Sequence, residues 1–426
     1  MRKNKKTVVS VVIFLLSALL TLASCSAPNK GEEETGESET EAVFTPAVDE
    51  GEQSALYKRY EEYRENASLA FKNNLPLSGE NFEYETVDGG MRITKYVGED
   101  SIIVVPDSIE GLPVREIGKS AFSGGVVRAI YIPDSVQSIA QGAIDICEGL
   151  STLRLPFVGD GKENPYIGYI FGADEPADNA ICLPPSLDMV IIGEGCTAIA
   201  DRAFYRAKIL SAIVFEGEID SLGTLSFYEC ADLVYITLEK AVGEIGEYAF
   251  AYCSSLYFAD VSNAKNVGLG AFYMCSKLHT LGVTYGENDF LGRYFGAESF
   301  DYNPEFVPDS LRHVKVGEGC EKIPDKAFAS CEYITSISLP DTLRAVGIRA
   351  FYGCRSLGNI VIPDGVKTID DDAFFGCDNL KTVEFGSSLE SIGMQAFYGC
   401  VSLEKADVRE GVKVGSGAFG NCPKLK

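Results

Sequence analysis

Cysteine is the residue type with the most chemical potential in this chain. Thirteen cysteines stand against two histidines, His279 and His313, and no tryptophan. Thiols at fixed spacing can pair as disulfides, ligate metal or act as nucleophiles. Nine of them occupy the C-x-x-L position, with Ile334 in place of leucine after Cys331: Cys147, Cys230, Cys253, Cys275, Cys331, Cys354, Cys377, Cys400 and Cys422. The pattern is most regular between Ile337 and Lys426. There Ala350-Phe351, Ala373-Phe374, Ala396-Phe397 and Ala418-Phe419 recur at spacings of 23, 23 and 22 residues. Each alanine is followed four residues later by cysteine, and three later again by Leu357, Leu380, Leu403 or Leu425. Thiols that replace one another once per repeat lie along a line, whereas a zinc site needs four ligands converging on a point. Ala207 and Gly125 fill the same position in two other repeats, so sulfur is not obligatory there. The expectation is a ladder of structural thiols that behave as small buried hydrophobes. Disulfides are the alternative that an exported chain allows. Cys196 and Cys320 are read in the same way, and Cys182 carries no reading.

The elements that must position these thiols follow from the unit itself. It runs C-x-x-L-x-x-I-x-I, a short turn, V-x-x-I, then A-F. A fixed period of this length marks a solenoid, in which each coil buries its apolar face only against its neighbours. Steps of the A-F type fall at Ala121, Ala143, Ala203, Ser226, Ala249, Ala271, Ala327, Ala350, Ala373, Ala396 and Ala418. The expected fold is therefore a β-rich, right-handed leucine-rich-repeat-like coil of about eleven repeats of 22–23 residues, spanning 77–426. Gaps of 60 and 56 residues interrupt the steps and hold two inserts, about 157–187 and 285–311. These inserts match one another at an offset of 124, as in Phe171-Gly172-Ala173 and Phe295-Gly296-Ala297. Inserts in repeat arrays tend to emerge as loops on one face, often the binding face.

The amino terminus reads as an address. Arg2, Lys3, Lys5 and Lys6 precede an apolar run from Val8 to Leu22, the layout of a signal peptide over 1–24. Leu22-Ala23-Ser24-Cys25 resembles the bacterial lipobox, which implies lipidation of Cys25 and a membrane anchor on the extracellular face. Residues 25–50 are rich in Glu, Ser, Thr and Gly and read as an extended acidic tether. Within 51–76, Leu56, Tyr60, Tyr63, Ala67 and Ala70 fall on one helical stripe at alternating steps of four and three. Covering the open end of the first coil is the expected role of this short helix, with oligomerisation the alternative. A β-hairpin follows, Phe82 to Val87 and Met91 to Thr94, turned by Asp88-Gly89-Gly90.

The hairpin, the Gly111-Leu112-Pro113-Val114 step and the recurring I-x-I-P, I-G and A-F-x-x-C-x-x-L motifs resemble the BspA-like leucine-rich repeat family of bacterial surface proteins. The resemblance covers about residues 82 to 426. It implies surface exposure and a role in adhesion or in host and matrix contact, without fixing a ligand.

Chemistry of other kinds finds little support. The formal charge of −25 disfavours nucleic acid and anionic lipid as partners. No H-E-x-x-H, G-x-S-x-G or phosphate-binding glycine loop occurs, no cofactor or metal is implied, and the chain is read as non-catalytic. The outward residues between the inward ones of each L-x-x-I-x-I run are the better candidates for a contact surface. Most are small or polar, but Tyr235 and Phe258 are aromatic and expected to face solvent, with a patch covered locally by the neighbouring insert as the alternative. With Phe171 or Phe295 from the inserts they form the candidate binding set for an extracellular protein or glycan. A structural envelope protein that assembles end to end through its last coil is the second reading, and a hydrolase using insert carboxylates is a remote third.

Overall fold

Each L-x-x-I-x-I run forms a short strand, and successive runs pair in parallel. In the computed structural model, which describes residues 71, 74–124, 127–145, 147, 149–238, 242–286 and 289–426, these strands build one long ladder. The chain divides into two units, Met1–Ala47 and Val48–Lys426, and all described residues belong to the second. Cys25, the tether, Gly125 and nearly all of the amphipathic segment lie outside the described residues.

Ten parallel strands form the main sheet, from Ile102–Val104 to Ser336–Ser338. Three more, Asn359–Val361, Thr382–Glu384 and Lys405–Ala406, pair as a further parallel sheet. Pairing is in register from coil to coil: Tyr235 opposes Phe258, which opposes Thr280, which opposes His313. The V-x-x-I positions form shorter parallel ladders of four and five strands, so each regular coil contributes twice. Proline closes several strands, at Pro133 and Pro363 for example, where its missing N–H ends the ladder. The expected hairpin is present, with Phe82–Val87 antiparallel to Gly90–Tyr96, and its second strand continues in parallel onto Leu112–Ile117.

Between the strands the core is a set of side-chain columns. Phe204, Phe227, Phe250 and Phe272 stack at 5.0–5.3 Å with planes within 10° of one another. Phe328, Phe351, Phe374, Phe397 and Phe419 repeat the arrangement at 4.8–5.3 Å. Of the twelve described cysteines, ten are buried. The thiol column lies against the phenylalanine column with a defined polarity. In the regular coils the Sγ–H donates to the phenylalanine carbonyl of the preceding coil, as from Cys230 to Phe204, Cys253 to Phe227, Cys354 to Phe328 and Cys400 to Phe374, at 3.1–3.2 Å. Burial pushes the Cys354 thiol up to about 12, which removes the thiolate needed for reactivity. These carbonyls each accept a backbone N–H as well, Phe204 from Ala207 and Phe227 from Cys230 for example, so the thiol takes up a second lone pair.

The inserts differ from expectation: among the described residues, their first turns join the stack as corners of further coils. Ile167–Phe171 and Leu291–Phe295 form 3-10 turns that occupy the corner held elsewhere by A-F. Ile167 N–H donates to the Ala203 carbonyl, and Phe272 N–H donates to that of Tyr294, continuing the corner ladder on both sides. A strand of the main sheet follows each insert directly, Met189–Ile192 and His313–Val316. The strand row on this face therefore counts thirteen coils, where the A-F steps count eleven. Apolar side chains decide this, since Ile167, Ile170, Leu291 and Tyr294 bury in the same core as the regular repeats.

A single buried asparagine fixes each insert. Asn179 Oδ1 accepts from Gly168 N–H at 2.8 Å, and its Nδ2 donates to the Tyr205 carbonyl at 2.9 Å. Asn303 does the same with Gly292 (2.8 Å) and Ala329 (3.0 Å). Gly168 and Gly292 must be glycine, because a Cβ would stand 2.4–2.5 Å from the asparagine oxygen. Asn303 lies 124 residues after Asn179, so the duplication itself carried the signal that could have revealed the pair. Asn303→Ala strands a buried N–H and a buried carbonyl at a cost of about 1–3 kcal/mol. Denaturant unfolding should show that loss, and amide exchange should accelerate locally at Gly292.

Candidate binding face

The outer face of the long sheet is built by the residues that alternate with the core-facing ones. One row reads Ala129, Thr152, Met189, Ala212, Tyr235, Phe258, Thr280, His313 and Ser336, each opposing the next. Tyr235 and Phe258 do sit on this outer face, side by side, with ring centroids 4.4 Å apart and planes 4° apart. They do not face solvent. Only 4% and 7% of their surfaces are exposed, and Met189, Ile191, Ala212, Thr280 and His313 are buried along with them. Phe295 is part of the main core at 1% exposure, and Phe171 is half-buried against the same core. The four aromatics therefore do not converge on one exposed surface. The insert aromatics follow the corner turns inward, because those turns replace the A-F corner of a coil.

A second outer row runs beside the first and carries paired charge. Arg154 is 2% exposed, yet its guanidinium bridges Asp134 at 2.7 Å and Glu216 at 2.9 Å and donates to the Ile132 carbonyl. It also lies over the Tyr131 ring, 4.7 Å from the centroid. Burial opposes its charge, but the Asp134 and Glu216 carboxylates outweigh that and hold its pKa above the usual arginine range. Farther along, Lys315 Nζ reaches Asp260 Oδ2 at 3.3 Å across Gly282, where any Cβ would collide with the Asp260 carboxylate.

The face changes character from Ser336 onward. Ser338, Asn359, Val361, Glu384 and Lys405 are exposed, Val361 at 59%. Thr382 Oγ1 donates to Asn359 Oδ1 at 2.8 Å, and Lys405 Nζ lies 3.3 Å from Asp407. These residues form a regular, mixed polar surface on a rigid ladder, with one side-chain pair per strand at about 4.8 Å intervals. Among the described residues no group of three or more His, Cys, Asp or Glu is arranged to hold a metal ion. Asp370-Asp371-Asp372 serves the turn, with Asp371 Oδ1 accepting from Met394 N–H and Asp372 paired to Arg349. Among the described residues no helix is long and apolar enough to cross a membrane.

The two histidines lie together at the border between the buried and open parts. Their ring centroids are 4.9 Å apart; Tyr257 stacks on His279, and His313 Nδ1 is 2.6 Å from Ser336 Oγ. Burial and the neighbouring Arg312 lower both to about 4, and His279 itself contributes to the lowering at His313.

Comparison with known proteins matches this architecture to one family model, described as the BspA-type leucine-rich repeat region, over 105–158, 178–300 and 302–426. No curated protein matches the chain. A solved leucine-rich repeat protein from Bacteroides ovatus is 23% identical, covers 83% of this chain and 99% of its own, and superposes with a TM-score of 0.34. A leucine-rich cell surface protein from Faecalibacterium prausnitzii is 21% identical over 80% of this chain and 98% of its own, with a TM-score of 0.29. The pneumococcal vaccine antigen PcpA is 19% identical over 79% of this chain and 92% of its own, with a TM-score of 0.30.

The histidine pair sets a pH dependence. Both rings are neutral in the folded state, so the unfolded state binds more protons once the pH falls below about 6.5. Their contribution is complete above that value and is lost as the pH drops towards about 4. Thermal unfolding from pH 7 to 4.5 should therefore show a steeper loss of stability in the native chain than in the H279Q/H313Q double variant.

Proposed function

The chain belongs to the BspA-type leucine-rich repeat proteins, and on that footing we propose that it is an exported, lipid-anchored surface protein that binds an extracellular protein or glycan without catalysing a reaction. The observation that carries this reading is the open outer face from Ser336 to Asp407. It presents Ser338, Asn359, Val361, Thr382, Glu384 and Lys405 from successive strands, each held by parallel pairing to at least one neighbour. A preorganised surface of mixed polarity loses little entropy when it binds a macromolecule. Small and polar groups alternate there with one apolar side chain, Val361, which is the natural central anchor. The anchor to the membrane rests on the sequence alone, on the basic start, the apolar run and Leu22-Ala23-Ser24-Cys25. Two acyl chains on Cys25 would hold the chain stably at the bilayer, and the acidic stretch after it would keep the solenoid clear of the surface.

Two measurements test this reading. In a bacterial host, the native chain should incorporate labelled fatty acid and fractionate with membranes, and Cys25→Ser should do neither. A soluble chain beginning after Cys25 should bind saturably to a panel of extracellular matrix proteins and glycans. Val361→Arg with Glu384→Arg should weaken that binding at least tenfold while leaving the thermal midpoint unchanged. Concentration-dependent self-association with no saturable partner would instead favour a structural envelope role.

A further inference from the structure

Several regular coils carry a second aromatic at the corner, on the solvent side of the buried phenylalanine column. Tyr205 and Tyr228 stack there at 5.1 Å with planes 12° apart. In later coils Tyr352, Phe375 and Tyr398 hold the same position at 5.1–5.2 Å, again nearly parallel. The coil at Ala249 breaks this pattern. Ala251 stands where those coils have an aromatic, and the ring comes from the next residue, Tyr252. It is inclined 61° to Tyr228 and 79° to Tyr273, with centroids 5.2 and 5.5 Å away. Tyr228, stacked on Tyr205, turns its faces along the column, so Tyr252 meets it by the rim. Neither face of Tyr252 is taken by a column neighbour, and the residue is 37% exposed, beside Met274 at 55%.

The backbone under this ring is unfavourable for a side chain. Tyr252 has a φ of 62°, in the left-handed region that favours glycine. Three later coils place Gly353, Gly376 and Gly399 at this position, with φ of 68–77°. In the two coils before, Arg206 and Glu229 hold it and pair with one another. Tyr252 has no such bond to justify its conformation, and strain of this kind collects at functional sites. The surroundings select the ligand. The hydroxyls of Tyr205, Tyr228, Tyr252 and Tyr273 bond no described residue and are not buried, so each can still donate and accept. Charge beside them is of both signs, with Glu229 held by Arg206 and Lys208, in a chain that carries −25 overall. Such a patch selects neither a polyanion nor a polycation, and an apolar protein surface would leave the hydroxyls unpaired. A pyranose with equatorial substituents suits it: the C–H face covers an aromatic ring and the hydroxyl rim meets the tyrosine hydroxyls. The rings follow one another at 5.1–5.5 Å, comparable to the advance of one sugar along an extended β-linked glucan.

We propose that the tyrosine column around Tyr252 is a binding site for a neutral glycan of β-linked, equatorially substituted pyranoses, with one sugar stacked on the Tyr252 ring. The site lies on the corners of the coils, apart from the outer face between Ser336 and Asp407. It stands or falls independently of the reading given for that face.

Affinity electrophoresis of the chain beginning after Cys25, in gels containing barley mixed-linkage β-glucan, tests the site. The β-glucan should retard the native chain, and the polyanion alginate should not. Tyr252→Gly is the informative variant, because glycine already holds this position in three coils. It should weaken retardation about tenfold or more while the thermal midpoint stays the same or rises. Tyr352→Ala, in a column whose rings are all stacked face to face, should change nothing, and neither should Val361→Arg with Glu384→Arg. No retardation of the native chain, native-like retardation of Tyr252→Gly, or a loss caused by the outer-face pair would each overturn the proposal. The chain has no tryptophan, so Tyr252→Trp adds a direct reporter. Cellohexaose should shift its emission saturably, and an unchanged spectrum would refute stacking at this residue.

Discussion

Parallel stacking at a fixed interval is the constraint on which the rest of this structure depends. A coil of about 23 residues has too few apolar groups to enclose a core of its own, so its inward face is satisfied only by the coils before and after it. The strand interval of about 4.8 Å is also close to the distance at which aromatic rings stack. One geometry therefore serves the backbone ladder and the phenylalanine columns together, with rings 4.8–5.3 Å apart. A different residue at one corner disturbs two neighbours, which is why so few types fill these positions.

The same constraint accounts for the thiols and for the inserts. The phenylalanine carbonyl of a regular coil already accepts a backbone N–H, and the thiol of the following coil is small enough to reach its second lone pair without adding a group that needs another partner. Burial raises the pKa of the Cys354 thiol and keeps it protonated and unreactive. An insert can enter such a stack only if it offers a corner, a strand and a full set of backbone partners. Asn179 and Asn303 provide the last of these, closing each insert onto the coil that follows through both halves of the side-chain amide.

The outer face is freed from these demands and shows it in composition. Along the first nine strands it carries methionine, isoleucine, alanine, tyrosine and phenylalanine, which are buried, together with charge in matched pairs such as Arg154 with Asp134 and Glu216. Along the last strands it carries serine, asparagine, threonine, glutamate and lysine, open to water. A rigid parallel ladder thus holds two surfaces of different chemistry in one register, and the histidine pair stands where one gives way to the other.

Periodicity determined the architecture. The recurrence of A-F, C-x-x-L and I-x-I fixed the solenoid and the inward direction of leucine and phenylalanine, because one side chain per coil must stack on its like. The hairpin was legible as well, since Asp88-Gly89 between alternating runs leaves the chain little choice. Three matters needed the tertiary structure. The inserts lack the A-F marker, so only packing shows that Ile167–Phe171 and Leu291–Phe295 take its corner and carry Phe171 and Phe295 towards the core. Asn179 and Asn303 act through backbone groups 11 and 26 residues away, which no local pattern records. Alternation along a strand told that Tyr235 and Phe258 point outward, but whether an outward side chain meets water depends on what lies over the sheet. That is a property of the assembled molecule, set by segments distant in sequence, and it is where the sequence reading of the binding face gave way.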